Sequence, residues 1–212
     1  SEVSAEVRRL AESGVREVVL TGIHLSSYGT DQGTDLLSLI RAVHEIERID
    51  RIRLGSLEPG IVTEEFAQAL SRLPKMCPHF HLSLQSGCDT VLQRMNRRYN
   101  TAEYLLRCEI LRKYFDHPAL TTDVIVGFPG ETEEEFAQTV EFLKKVRFYE
   151  THIFKYSRRE GTRAARMPQQ ITETVKGERS DVLLELNRQN KAEFERSWIE
   201  KQVQVLLEEK DF

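Results

Sequence analysis

This chain of 212 residues has few cysteines, no long apolar run and no large excess of either charge. The three cysteines, Cys77, Cys88 and Cys108, are too few for the disulfide framework of a small secreted protein and indicate a reducing compartment. No two of them are close enough in sequence to form a CxxC or CxxxCxxC motif. The sequence therefore shows no motif for binding an iron–sulfur cluster.

No apolar run approaches the roughly 18 residues that span a bilayer, and the chain does not open with a signal peptide. We therefore expect a cytoplasmic protein with no membrane partner. The 30 basic and 34 acidic residues give a net charge of −4, so bulk charge does not indicate nucleic-acid binding. DNA is not an expected partner, and RNA binding would need local basic patches.

Predicted strands and helices alternate along the chain, which opens in an amphipathic helix that ends at Gly14. This alternation is typical of βαβ units with parallel strands, in an open or a closed sheet. Ligands of such folds collect at the carboxyl ends of the strands. The predicted strands are 15–21, 51–56, 79–85, 120–127 and 150–156, and the later helices are 35–46, 63–73, 89–95, 101–114, 132–146 and 175–198.

The pattern changes after residue 156, where a basic loop with glycine and proline precedes the long charged helix. Alternating residues at 201–208 predict one more short strand. A lone strand is not stable by itself, so we interpret this segment as the opening of a second domain.

Two loops after predicted strands carry candidate ligand groups. TGIHLSSYG (21–29) follows the first strand, where Gly22 allows close backbone approach, although an ordinary βα loop has the same composition. In SLEP (56–59), Glu58 lies just past a strand end, where a carboxylate accepts hydrogen bonds from an ammonium or hydroxyl group. The alternative for Glu58 is a solvent-facing or helix-capping role.

HLSLQSGCD (81–89) places Gln85, with both donors and acceptors, at a strand tip. RMNRRY (94–99) returns Arg97 toward the same rim, where its planar guanidinium suits a carboxylate. His79 and His81 share one face of their strand. Because no third ligand follows at a suitable spacing, we expect packed barrel histidines and no metal site.

TTDVIVGFPGETEEEF (121–136) is the most informative single motif. Asp123 and Ile125 share a strand face, and the turn that starts at Gly127 is expected to expose backbone amides at the following helix. A flat ring fits against the isoleucine while backbone groups contact its edge. We expect Glu131 and the glutamates at 133–135 to serve the helix dipole and cap.

YSRREGTRAARM (156–167) places Arg158, Arg159, Arg163 and Arg166 in one loop after a strand. Arginine clusters beside aromatic residues suit phosphate backbones and stacked bases. A solvated loop is the alternative.

Taken in this order, these motifs resemble the methylthiotransferase family of radical S-adenosylmethionine enzymes. TGIHLSSYG, QSGCD and SRREGT are similar to the subgroup that acts on N6-threonylcarbamoyladenosine in tRNA. The resemblance implies an α/β fold: a partial (βα) open TIM barrel of the radical-SAM type, with parallel strands, a linker helix and the start of a β domain. It implies a barrel over 1–166, a linker over 167–198 and the start of a TRAM-like domain over 199–212.

The resemblance also implies an activity. Such enzymes add a methylthio group to C2 of a modified adenosine beside the anticodon, using S-adenosylmethionine and two [4Fe–4S] clusters, with tRNA as partner. The implied cofactor residues are Thr21, Gly22, Glu58, Gln85, Arg97, Asp123, Ile125 and Gly127; the implied RNA contacts are Arg158, Arg159 and Arg163.

The sequence departs from this family in lacking the CxxxCxxC loop and the strand before it. We therefore expect part of a longer enzyme, inactive by itself. Two alternatives stay open: the same family acting on isopentenyladenosine in tRNA or on a ribosomal protein aspartate, and a non-catalytic barrel that serves as a scaffold.

Overall fold

The structure, a computed structural model, describes residues 2–31 and 33–206. Helices and strands alternate through these residues as the sequence predicts. The strands are β1 (Glu17–Leu20), β2 (Arg51–Leu54), β3 (His79–His81), β4 (Ala119–Val126) and β5 (Glu150–Lys155). The helices are α1 (Glu2–Glu12), α2 (Leu36–His44), α3 (Glu64–Ser71), α4 (Asp89–Arg94), α5 (Thr101–Tyr114), α6 (Glu133–Val146) and α7 (Glu173–Arg196).

All the strand pairs are parallel and follow chain order. β1 pairs with β2, and β4 lies between β3 and β5. Single bridges from Ile52 to Met76 and from Leu57 to Leu82 join the two groups. Within the described residues the sheet does not close on itself, which confirms the α/β fold with a partial, open barrel.

The two faces of the sheet differ in chemistry. Alternate apolar side chains such as Ile52, Phe80 and Val124 are fully buried under the helices. The opposite, inner face carries polar residues: Glu17 lies 2.8 Å from Arg51 and 2.7 Å from Arg53. Because side chains alternate between the two faces along each strand, these polar residues share the inner face.

Helix ends follow the local sequence. Asn100 and Thr132 form capping boxes with Glu103 and Glu135 at the starts of α5 and α6, which satisfies backbone donors that a helix leaves free. The predicted strand at 201–208 is wrong in the part that is described, because 201–206 has no regular structure and is exposed. Residues 207 and 208 lie outside the described residues.

α7 packs against β5, β4 and α6, so the long charged helix lies against the barrel. No helix in the described part of the chain has the length and apolar character needed to cross a bilayer. The domain boundaries implied by the resemblance stay a prediction.

Candidate functional site

Three candidate cofactor residues meet at the carboxyl edge of the sheet. The Gln85 N–H donates to the Asp123 carbonyl at 2.8 Å, and the Ile125 N–H donates to the Gln85 carbonyl at 2.9 Å. Gln85 has a left-handed backbone, with φ of 77°, which non-glycine residues rarely adopt. These backbone hydrogen bonds hold the three residues next to one another on neighbouring segments of the sheet.

A cavity of about 300 Å³ opens beside this edge. Arg97, Ile125 and Phe128 line it, so a guanidinium group faces a cleft with an apolar wall. Arg163 also lines the cavity. The structure therefore brings together two predicted cofactor residues and one predicted RNA contact.

Three further cofactor candidates, Thr21, Gly22 and Glu58, follow β1 and β2. The Glu58 N–H donates to Ser26 Oγ at 3.1 Å, and the Glu58 carboxylate lies 3.7 Å from His24 Nδ1. The predicted loop 21–29 and Glu58 are thus joined. Thr21 lies against Gly55: a Cβ added at Gly55 would be 2.8 Å from Oγ1 of Thr21. Gly22 is exposed, with open space where a Cβ would lie.

Tyr99 holds the chain just before Gln85 and was not among the predicted site residues. Its hydroxyl group donates toward the carbonyls of Ser83 and Leu84, at 2.8 and 2.9 Å. Burial raises the pKa of Tyr99 to about 12; the positive charge of Arg97 opposes this rise and the negative charge of Glu58 adds to it. The only signal was an aromatic residue that closes the RMNRRY motif.

The turn from Gly127 to Gly130 differs from its prediction. The Gly127 N–H donates to Glu131 Oε2 at 2.7 Å, and the Gly130 N–H donates to the Gln169 carbonyl at 2.9 Å. Because these amides are paired inside the protein, the prediction that they are exposed for a ligand is wrong. Ile125 and Phe128 are the parts of this segment that face the cavity.

Glu131 also differs from its predicted role as a helix-dipole or capping residue. Its side chain is 1% exposed and its Oε2 lies 2.8 Å from Arg179 Nη1 of α7. Glu135 does cap α6 as predicted, and it also pairs with Arg94 at 2.5 Å. That pair, with a further hydrogen bond from Thr90, lowers the pKa of Glu135 to about 2.

The arginine loop is largely exposed, and its arginines have different surroundings. Arg158 Nε donates to the Ala165 carbonyl at 2.9 Å, so this side chain holds its own loop. Arg159 is exposed, whereas Arg163 reaches the cavity. The loop therefore places positive charge beside the candidate cofactor residues.

Two of the cysteines, Cys88 and Cys108, are buried, and Cys77 is partly exposed. Among the described residues, none of them belongs to a group of three potential metal ligands. The cysteines of this chain therefore do not fit a [4Fe–4S] cluster, which the resemblance implies is held by the thiolates of a CxxxCxxC loop.

Comparisons with known proteins identify the family of the chain. The family model described as "Radical SAM superfamily" matches residues 1–143. The chain is 39% identical to "Threonylcarbamoyladenosine tRNA methylthiotransferase MtaB" of Thermotoga maritima, over 96% of this chain and 47% of that protein. It is 41% identical to "tRNA-2-methylthio-N(6)-dimethylallyladenosine synthase" of Thermoanaerobacter sp. (strain X514), over 92% of this chain and 42% of that protein.

Among solved structures, coproporphyrinogen III oxidase from Escherichia coli, described as a radical SAM enzyme, superposes with a TM-score of 0.69. It shares 16% sequence identity and covers 89% of this chain and 44% of its own, so it supports the fold alone. The chain spans about half the length of the curated relatives it matches. By its family match and its relatives, the chain belongs to the radical SAM superfamily, whose members use S-adenosylmethionine and a [4Fe–4S] cluster.

Proposed function

We propose that this chain is the cofactor-binding part of a tRNA methylthiotransferase that acts on N6-threonylcarbamoyladenosine beside the anticodon. The observation that carries the proposal is the joining of Gln85, Asp123 and Ile125 at one strand edge, next to the Arg97 cavity. The threonylcarbamoyl substrate is supported by the resemblance of TGIHLSSYG, QSGCD and SRREGT to that subgroup.

The residues at this edge fit S-adenosylmethionine. A carboxylate and an amide, from Asp123 and Gln85, suit the two ribose hydroxyls, and Ile125 offers an apolar surface to adenine. Arg97 suits the methionine carboxylate, and Glu58, beside Thr21 and Gly22, suits its ammonium group. When bound, the cofactor supplies the radical and methyl chemistry of the family.

The two [4Fe–4S] clusters that we propose for the whole protein need ligands outside these 212 residues, so no step of the reaction is assigned here. We expect the chain to be inactive alone and the whole protein to be cytoplasmic. Arg159 and Arg163 contact the tRNA anticodon stem-loop in this proposal, while Arg158 shapes their loop.

Cofactor binding is tested by calorimetry on the chain with S-adenosylmethionine. Weak binding is expected because the cluster iron is absent. Asp123→Asn should weaken it at least several-fold, and Asp116→Asn, an exposed loop carboxylate, should not. Equal binding by both variants contradicts the site.

The substrate is tested on the full-length protein reconstituted with iron and sulfide. Mass spectrometry of tRNA nucleosides should show a methylthio group on threonylcarbamoyladenosine. A methylthio group on isopentenyladenosine instead would favour the other subgroup, whose relative is equally similar. Modification of a ribosomal protein in place of tRNA would reject tRNA as the substrate.

The RNA contacts are tested by binding an anticodon stem-loop at several salt concentrations. Replacing Arg159 and Arg163 with glutamine should reduce the salt slope of log K by about 1 for each phosphate group that the protein no longer neutralises. Arg188→Gln, an exposed arginine of α7, is the matched control. An unchanged slope in the double variant would show that these two arginines do not bind RNA.

A further inference from the structure

We propose that His81, Asp123 and His152 form a binding site for a divalent transition-metal ion on the inner face of the sheet. The three residues come from the adjacent strands β3, β4 and β5. Asp123 is the register partner of His152, and His81 is the partner of Thr121, two residues before Asp123. Parallel pairing therefore places one possible ligand on each of three neighbouring strands.

The distances suit a single ion. One ligand atom from each residue lies within 4.8 Å of the other two, and His81 Nε2 is 3.2 Å from Asp123 Oδ2. The rings of His81 and His152 are 5.8 Å apart and 24° from parallel. Two ligands that are each ~2.1 Å from one zinc ion lie roughly 3–4 Å apart. The His152 side chain is exposed, so it has room to turn toward the same ion.

His81 is oriented for this role by its second nitrogen. Its Nδ1 lies 3.0 Å from Oγ1 of Thr121, a residue that is 3% exposed. A metal-binding histidine ordinarily uses its other ring nitrogen in this way, which fixes the ring and its tautomer. Nε2 of His81 is then left pointing at Asp123, and it makes no well-aligned hydrogen bond to any described residue.

A simple ion pair between His81 and Asp123 leaves His152 unexplained. That side chain is exposed on the inner face, and its ring stacks beside that of His81. An ion pair between His81 and Asp123 requires no contact with the ring nitrogens of His152. Two imidazoles and one carboxylate are the ligands of zinc and non-haem iron(II) sites, and they suit calcium or magnesium poorly. Three protein ligands leave a coordination position for water or for an oxygen of a small ligand.

Asp123 belongs both to this group and to the proposed cofactor site, so the experiment uses metal alone. The chain, freed of metal, is titrated with Co²⁺ and followed by visible absorption, and with Zn²⁺ by calorimetry. We expect one ion per chain, with a nitrogen- and oxygen-ligated cobalt spectrum. His152→Gln and His81→Gln should each weaken binding at least tenfold, and His117→Asn, at an exposed histidine outside the sheet, should leave it unchanged.

Three results would overturn the proposal: no stoichiometric binding, wild-type affinity in His152→Gln, or a cobalt–thiolate band that reveals cysteine ligands. Circular dichroism is recorded for each variant. If His81→Gln does not fold, His152→Gln still decides, because its side chain is exposed and its loss does not disturb the core. Failure of cofactor binding in the Asp123→Asn test does not bear on this result, since no cofactor is present here.

Discussion

Nη1 of Arg179 lies 2.8 Å from Oε2 of Glu131, and only 7% and 1% of the two side chains are exposed. The same carboxylate accepts the Gly127 N–H, and the Glu131 carbonyl accepts a second bond from Arg179. Burial raises the pKa of Glu131, which the Gly127 N–H and Arg179 oppose. Lys176 packs on Gly127 one turn earlier in α7. The long helix thus fixes the turn beside the cofactor cavity.

Arg179→Met should lower the free energy of unfolding by about 3–5 kcal/mol, because it leaves the buried Glu131 carboxylate with the Gly127 N–H but without its charged partner. Urea denaturation measures this change. Arg188→Met, which breaks an exposed pair within α7, should change stability by less than about 1 kcal/mol. The double variant Glu131→Gln with Arg179→Met should recover part of the loss. A loss no larger than that of Arg188→Met would show that the pair does not fix the turn.

Gly87→Ala should destabilise the protein by about 1–3 kcal/mol through overpacking. A Cβ at Gly87 would lie 2.8 Å from Cβ of Phe142 and 2.9 Å from Cα of Thr139, and both neighbours belong to α6. Gly60→Ala is the matched control, since its Cβ would meet open space. Thermal unfolding of the two variants should separate them, and equal melting temperatures would refute the close approach.

Tyr99→Phe should cost about 1 kcal/mol, because the carbonyls of Ser83 and Leu84 lose their hydroxyl donor. It should also weaken S-adenosylmethionine binding, since these carbonyls precede Gln85. Tyr114→Phe, on a partly exposed tyrosine outside the site, serves as the control for calorimetry and denaturation. Unchanged stability and affinity would remove Tyr99 from the site.

Glu135 should make stability depend on pH in the acid range. Its pKa falls from 4.5 to about 2 in the folded protein because of the hydrogen bonds from Arg94 and Thr90. A depressed folded pKa stabilises the protein above pH 4.5, and that contribution is lost as the pH falls toward 2. The difference in unfolding free energy between wild type and Glu135→Gln should therefore shrink over this window. A difference that stays constant would contradict the pairing.

Thiol labelling should distinguish the three cysteines. Cys77 is partly exposed, whereas Cys88 and Cys108 are buried, and burial raises the pKa of Cys108 to about 12. A thiol reagent should label at most one cysteine in the native chain, and slowly, because burial also raises the pKa of Cys77. All three should react in denaturant. Cys77→Ser should abolish the native reaction, and any reaction left would reveal an opening of the core.

Much of the fold was predictable from the spacing of apolar residues and from helix-capping residues. The alternation of strands and helices predicted the parallel sheet, and the helix predicted from residue 132 begins at Glu133, with Thr132 as its N-cap. The strand predicted at 201–208 was wrong where it is described, because alternation alone does not supply a partner strand. Local signals set local structure; they do not show whether a partner is present.

The site was predictable only in part for the same reason. Gln85 follows β3, and Asp123 and Ile125 lie in the second half of the neighbouring strand β4, so their meeting followed from topology. Glu131 was misassigned because its partner lies 48 residues later, in α7. The group of His81, Asp123 and His152 was hidden likewise, since register between three strands, and not spacing along the chain, brings its members together.

The left-handed backbone of Gln85 has a consequence for affinity. Its N–H and carbonyl are both engaged by β4, so the strand tip is held in a conformation that costs of order 1–3 kcal/mol, before any ligand arrives. The free-energy cost of that strain is part of folding and not of ligand binding. A molecule that binds at this edge therefore loses little free energy to ordering the protein, and weak individual contacts can suffice.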